Sequence, residues 1–106
     1  MSNVHCLKIK PLFFTAVCSG KKTFEIRFND RHFRTGDIVI LREWYRGRYT
    51  GRRVVRQICY FCDWNIGLST GYVALGIKPD NTLTEAQIDA AILLEDGADE
   101  HEDGCE

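Results

Sequence analysis

Acidic, basic and amide functions crowd one short segment of the chain, Gly20-Lys-Lys-Thr-Phe-Glu-Ile-Arg27, continued by Asn29-Asp30-Arg31. Read with a period of two, Thr23, Glu25, Arg27 and Asn29 fall on one strand face, and Phe24, Ile26 and Phe28 on the other. Over a cleft, Arg27 can hold a phosphate or carbonyl through two parallel N–H donors, and Glu25 can accept from an exocyclic amine. Lys21 and Lys22 can contact phosphates or complement the carbonyl end of a preceding helix. Lys22 beside Glu25 is also the composition of a proton-transfer pair. A solvated, salt-bridged strand face accounts for the same residues, so pattern alone leaves these readings open.

A second candidate is Trp44-Tyr-Arg-Gly-Arg-Tyr-Thr-Gly-Arg-Arg53, where Trp44, Tyr45 and Tyr49 alternate with Arg46, Arg48, Arg52 and Arg53. Aromatic faces stack bases and arginines reach phosphates, the combination found in single-strand-binding grooves. A hairpin capping one end of a sheet, its arginines merely solvated, would read the same way. Other chemistry is thin. His5, His32 and His101 share no metal-ligand spacing, so no metal and no cofactor is expected. Gly20-Lys21-Lys22-Thr23 lacks the upstream glycine of a phosphate-binding loop. Cys59-x-x-Cys62 lies in a strand-like stretch, where positions three apart face opposite ways. With five cysteines in all, buried free thiols are expected, Cys18 among them.

The elements that must position these groups are short. A strand is predicted over Val4–Lys10, then a helix from Pro11 to a stop at Gly20. A second strand follows over Lys22–Phe28, and Thr35-Gly36-Asp37 turns into a third over Ile38–Tyr45. Arg46–Gly51 reads as a hairpin connection, Arg52–Asp63 as the returning strand and Tyr72–Ile77 as the last. Thr82-Leu-Thr-Glu85 fits a capping box opening a helix over 83–95. The expected organisation is one domain over 1–78, a helix over 79–95 and an acidic, disordered tail over 96–106.

Charge divides the same way. Residues 1–78 hold all 14 Lys and Arg against 5 acids, a balance of +9; residues 79–106 hold the other 10 acids and no base. A basic body suits a polyanion, and an acidic segment can mimic nucleic acid or fold back on its own basic groove. No apolar run approaches the ~20 residues of a membrane span. Met1–Lys10 lacks the features of a secretory signal, so a cytoplasmic location is expected.

His5-x-Leu7-Lys8, Pro11, Phe14, Gly20-x-Lys22-x-x-Glu25-x-Arg27-x-Asn29-Asp30-Arg31 and Gly36-Asp37, in that order, resemble the ASCH family of the PUA-like superfamily. The likeness is to small domains of this type frequent in phage and prophage genomes, and it spans roughly residues 4–78. It implies an α+β fold: a PUA-like β-barrel of five to six mostly antiparallel strands with one early helix, here followed by a C-terminal helix. It also implies a cleft lined by Lys22, Glu25 and Arg27 that binds RNA, another nucleic acid or a modified nucleoside. On this reading Lys8, Lys21, Lys22, Thr23, Glu25, Arg27, Asn29, Arg31, Trp44, Arg46, Arg48, Tyr49, Arg52 and Arg53 form the binding set. An amidohydrolase branch of the family suggests an alternative in which Lys22 and Glu25 act on an acylated nucleoside. In that branch a threonine stands where this chain has Glu25. A phage-type effector that binds a host protein is a third expectation.

Overall fold

In a computed structural model, which describes residues 3–63 and 67–98, five strands form one curled sheet, a half-barrel of α+β class. They are β1 (Val4–Ile9), β2 (Phe24–Phe28), β3 (Ile38–Tyr45), β4 (Arg48–Cys62) and β5 (Tyr72–Pro79). Their spatial order is β1-β3-β4-β5-β2, with β1 parallel to β3 and every other pair antiparallel. Helix α1 (Pro11–Cys18) crosses the concave face, and α2 (Glu85–Ala98) lies on the convex one.

Alternation along the strands builds a core on each face. Leu7 and Ile9, Val39 and Leu41, Ile58, and Val73, Leu75 and Ile77 point inward onto Phe14 and Val17 of α1. On the convex side Cys6, Ile40 and Val55, neighbours across three strands, receive Ile88, Ala91 and Ile92 of α2. That second cluster is small, so α2 is held by less apolar area than the strands are.

The curl leaves β1 and β2 as facing edges that share no ladder. Arginines join them instead. Arg27 Nη2 donates to the Lys8 carbonyl (2.5 Å) and Arg31 Nη1 to the Cys6 carbonyl (2.9 Å). At the start of the sheet Asp37, buried, accepts from His5 Nε2 (2.8 Å), Asn3 N–H and Arg34 N–H. Burial would raise its carboxyl pKa, but those hydrogen bonds outweigh it and hold the pKa below the usual value. His5 thus anchors β1 to the β3 turn.

Several local expectations are corrected. The β3–β4 connection is only Arg46-Gly47, both at positive φ (50° and 84°), the conformation of a two-residue hairpin turn. Residues 48–51 therefore already belong to β4. The capping box sits two residues later than expected: Thr84 Oγ1 accepts from Gln87 N–H and Gln87 Oε1 from Thr84 N–H, while Thr82 is tied to Asp80. Helix α2 continues through Asp96, Gly97 and Ala98, three residues expected to open a disordered tail; residues 99–106 lie outside the described residues. Of the thiols, Cys6 is buried, but Cys18 and Cys59 are exposed and Cys62 is half-buried. Cys18 lies in the last turn of α1, and Cys59 sits at a register shift between Ile58 and Tyr60.

Candidate functional site

The segment with the densest chemistry forms β2, and its alternation turns the charged face inward. Glu25 stands in register with Leu75 and Arg27 with Val73, so the charged side chains point into the concave face at 4% and 5% exposure. Phe24, Ile26 and Phe28 point outward and are about half exposed. Two charges can be buried here because they satisfy one another. Glu25 Oε1 accepts from Arg27 Nε (3.0 Å) and is in ionic contact with Nη2 (2.9 Å), and Oε2 accepts from Lys22 Nζ (2.6 Å). Lys22 reaches inward because α1 ends at Cys18 and Gly20, at a φ of 82°, turns the chain before β2 begins. Its Nζ also donates to the Phe24 carbonyl and lies 4.8 Å from the Phe24 ring centre and 5.5 Å from that of Phe13.

Outside this triad is a recess of about 250 Å³. Phe13, Phe24, Ile9 and Ile26 supply its apolar walls, while Lys22, Glu25 and Arg27 line the polar side. Ile9 is also the register partner of Glu43, a second inward carboxylate, buried at 6%. Glu43 accepts from Thr50 Oγ1 (2.7 Å) and from Arg52 Nε and Nη2 (3.0 and 3.1 Å). The Thr50 bond, followed by the Arg52 fork, keeps its pKa below the ordinary carboxylate value against the opposing effect of burial.

The remaining candidates divide among other places. Lys8, Trp44, Tyr49 and Arg53 gather on the convex face around Arg42. In register, Lys8, Arg42 and Arg53 form one rung across β1, β3 and β4, and Trp44 with Tyr49 forms the next. Lys8 Nζ lies 4.1 Å over the Trp44 ring, the Arg42 guanidinium 3.6 Å over Tyr49, and the two rings meet edge-on at 4.7 Å. Arg31 sits at the β1 seam beside this group. Arg46 and Arg48 are exposed at the hairpin tip, and Lys21 is exposed after α1. Arg52 pairs with Glu43. Thr23 is exposed and its carbonyl accepts from Ile77 N–H; Asn29 Oδ1 accepts from Phe33 N–H, which makes it a turn-former.

Arg42, Glu43 and Phe13 were not among the sequence candidates. Arg42-Glu43 is an ion-forming dipeptide inside the otherwise apolar β3, a signal that such charges have dedicated partners. Phe13 carried only a helical apolar spacing.

Residues 4–77 match a family described as "Domain of unknown function (DUF3850)". The chain belongs to the DUF3850 family. The DUF3850 match ends within β5, before α2 begins. The chain is also 37% identical over 67 residues to the "Uncharacterized 12.9 kDa protein in GpA 3'region" of Escherichia phage P2. That alignment covers 60% of this DUF3850 chain and 62% of the phage protein's length. Among the described residues, no three His, Cys, Asp or Glu cluster to hold a metal ion, and no helix is long and apolar enough to cross a membrane.

Proposed function

We propose that this DUF3850 chain is an ASCH-type, PUA-like module that binds single-stranded RNA, taking a base or modified nucleoside into the Lys22–Glu25–Arg27 recess. One observation carries the reading: a slot bounded by Phe13 and Phe24 has a buried carboxylate and two cations on its polar side. A flat ring meets aromatic surface in such a slot, while its edge finds the Glu25 acceptor and the Lys22 and Arg27 donors. Arg27 Nη1 makes no hydrogen bond among the described residues and supplies a further donor. The basic body adds phosphate attraction, with Arg46, Arg48 and Lys21 extending the footprint. The phage P2 relative agrees with a phage or prophage setting.

Fluorescence anisotropy with a labelled single-stranded oligoribonucleotide at two salt concentrations tests the proposal. Affinity should fall steeply with salt. Phe24→Ala, at a half-exposed position, should weaken binding by about 1–3 kcal/mol, the contribution of one stacked base. Absence of binding at low salt, or binding indifferent to salt, refutes it.

The 2.6 Å contact between Lys22 Nζ and Glu25 Oε2 at the recess favours a second reading, hydrolysis of an acylated nucleoside. Here the pair would relay a proton from water to the departing amine. Turnover of N-acetylated cytidine that disappears in Lys22→Ala supports it, and absence of turnover retires it. A host-protein partner is a third proposal, and it rests on charge segregation alone.

A further inference from the structure

The convex face carries three successive rungs of different chemistry. Cys6, Ile40 and Val55 are apolar, Lys8, Arg42 and Arg53 are cationic, and Trp44 with Tyr49 is aromatic. Helix α2 lies on the first rung through Ile88, Ala91 and Ile92. It reaches the second through carboxylates at helical spacing. Arg53 donates from Nη1 to Asp89 (2.7 Å) and from Nη2 to Glu85 (2.6 Å). Arg42 forks onto Asp96 at 2.8 and 3.4 Å, and Glu95 lies 3.9 Å from Arg31.

Nothing in α2 itself calls for this arrangement. Glu95 and Asp96 occupy its last turn, where the carbonyl end of a helix disfavours negative charge, and no basic residue offsets them there. The contacts that compensate come from the arginines of the sheet. Glu85 and Asp89 are largely exposed, so their pairs with Arg53 are weak and salt-sensitive. Carboxylates forked onto arginines occupy the positions that phosphate oxygens would take. Arg42, beneath Asp96, and its register neighbour Lys8 already lie over aromatic rings.

We infer that the Lys8–Arg42–Arg53 rung, with Trp44 and Tyr49, is a second single-stranded RNA-binding face, and that α2 covers it in the resting chain as a built-in phosphate mimic. This inference rests on the RNA-binding reading above and adds its regulation. RNA binds here by displacing the α2 carboxylates, so the full chain binds more weakly than the exposed face would.

The test keeps the whole chain and neutralises four carboxylates with near-isosteric amides: Glu85→Gln, Asp89→Asn, Glu95→Gln and Asp96→Asn together. The probe is a fluorescein-labelled oligouridine. A control variant adds the same amount of positive charge at exposed positions outside α2 and the rung, through Thr15→Lys, Ser19→Lys, Thr35→Lys and Ser69→Lys together. The α2 variant should bind at least about tenfold more tightly than both the wild type and the control. Its salt dependence should steepen by about two in log–log slope, as Arg31, Arg42 and Arg53 become available to phosphates. An equal gain in the control means generic net charge, and no gain in either means no shielding; both overturn the inference while leaving the recess reading intact. If no variant binds RNA at low salt, both readings fall. In the wild type, hydrogen exchange at α2 amides should accelerate on saturation with oligouridine, and unchanged or slower exchange overturns the inference whatever the variants do.

Discussion

Replacing Arg27 with Met removes a side chain that does two jobs. Its guanidinium donates from Nε to Glu25 Oε1 and pairs ionically with it through Nη2, which also holds the Lys8 carbonyl across the β1–β2 gap. Arg27 and Glu25 are 5% and 4% exposed, so water cannot readily take over the lost partners. Removing one partner of a buried pair costs about 3–5 kcal/mol. Lys22 stays on Glu25 Oε2, which places the expected loss near the lower end, at about 3 kcal/mol. That is a large fraction of the ~5–15 kcal/mol available to a small domain. Urea denaturation followed by fluorescence, extrapolated linearly to water, measures it. The decisive comparison is the double variant Glu25→Met/Arg27→Met. If the cost arises from an orphaned carboxylate, removing that carboxylate should recover about 1–2 kcal/mol relative to Arg27→Met alone. A single variant within about 1 kcal/mol of the wild type, or a double variant less stable than the single, refutes the argument.

Other outcomes follow from the same geometry. Arg46→Asn should stabilise the fold by about 0.5–1 kcal/mol in thermal melts, because asparagine accepts the positive φ of the turn more readily. The same change should reduce the salt slope of RNA binding if Arg46 touches a phosphate. Asp37 has a lowered pKa in the fold, so its contribution is complete above the unfolded value of 3.8 and is lost as pH falls through the lower folded value. Asp37→Asn should therefore flatten the acid limb of the urea-midpoint profile below about pH 4. Thr84→Ala removes the α2 cap at a cost of about 1 kcal/mol in helix stability, and on the shielding argument it should raise RNA affinity. Burial pushes the Cys6 thiol up to about 11, so under native conditions it should resist a thiol reagent that labels Cys18 and Cys59. Saturating RNA should expose Cys6 to labelling, which mass spectrometry of the digested protein would read.

Legibility in the sequence stopped at definite physical points. The two faces of β2 were plain from alternation, but a period of two does not say which face is inside. Hydrophobicity would have buried Phe24, Ile26 and Phe28; the charged face is buried instead because Lys22, Glu25 and Arg27 pair with one another and with nearby carbonyls. The strand order was equally hidden, since the parallel pairing of β1 with β3 depends on contacts more than thirty residues apart. In α2 two overlapping Thr-x-x-Glu/Gln patterns competed, and the choice fell to Thr84 because Asp80 engages Thr82. Lys22, Glu25 and Arg27 do come together, whereas Lys8, Trp44, Tyr49 and Arg53 form a separate group on the opposite face. Nothing linear in the chain announces that split.

A guanidinium that fastens two strand edges and also lines a ligand recess has an evolutionary consequence. Residue 27 cannot drift toward a new specificity without loosening the wall it closes, so ligand preference has freedom to diversify only at its neighbours. Phe13, Phe24 and Ile26 are half exposed and carry no strand-joining duty. Divergent members of this lineage should therefore vary their aromatic rim while the arginine stays fixed.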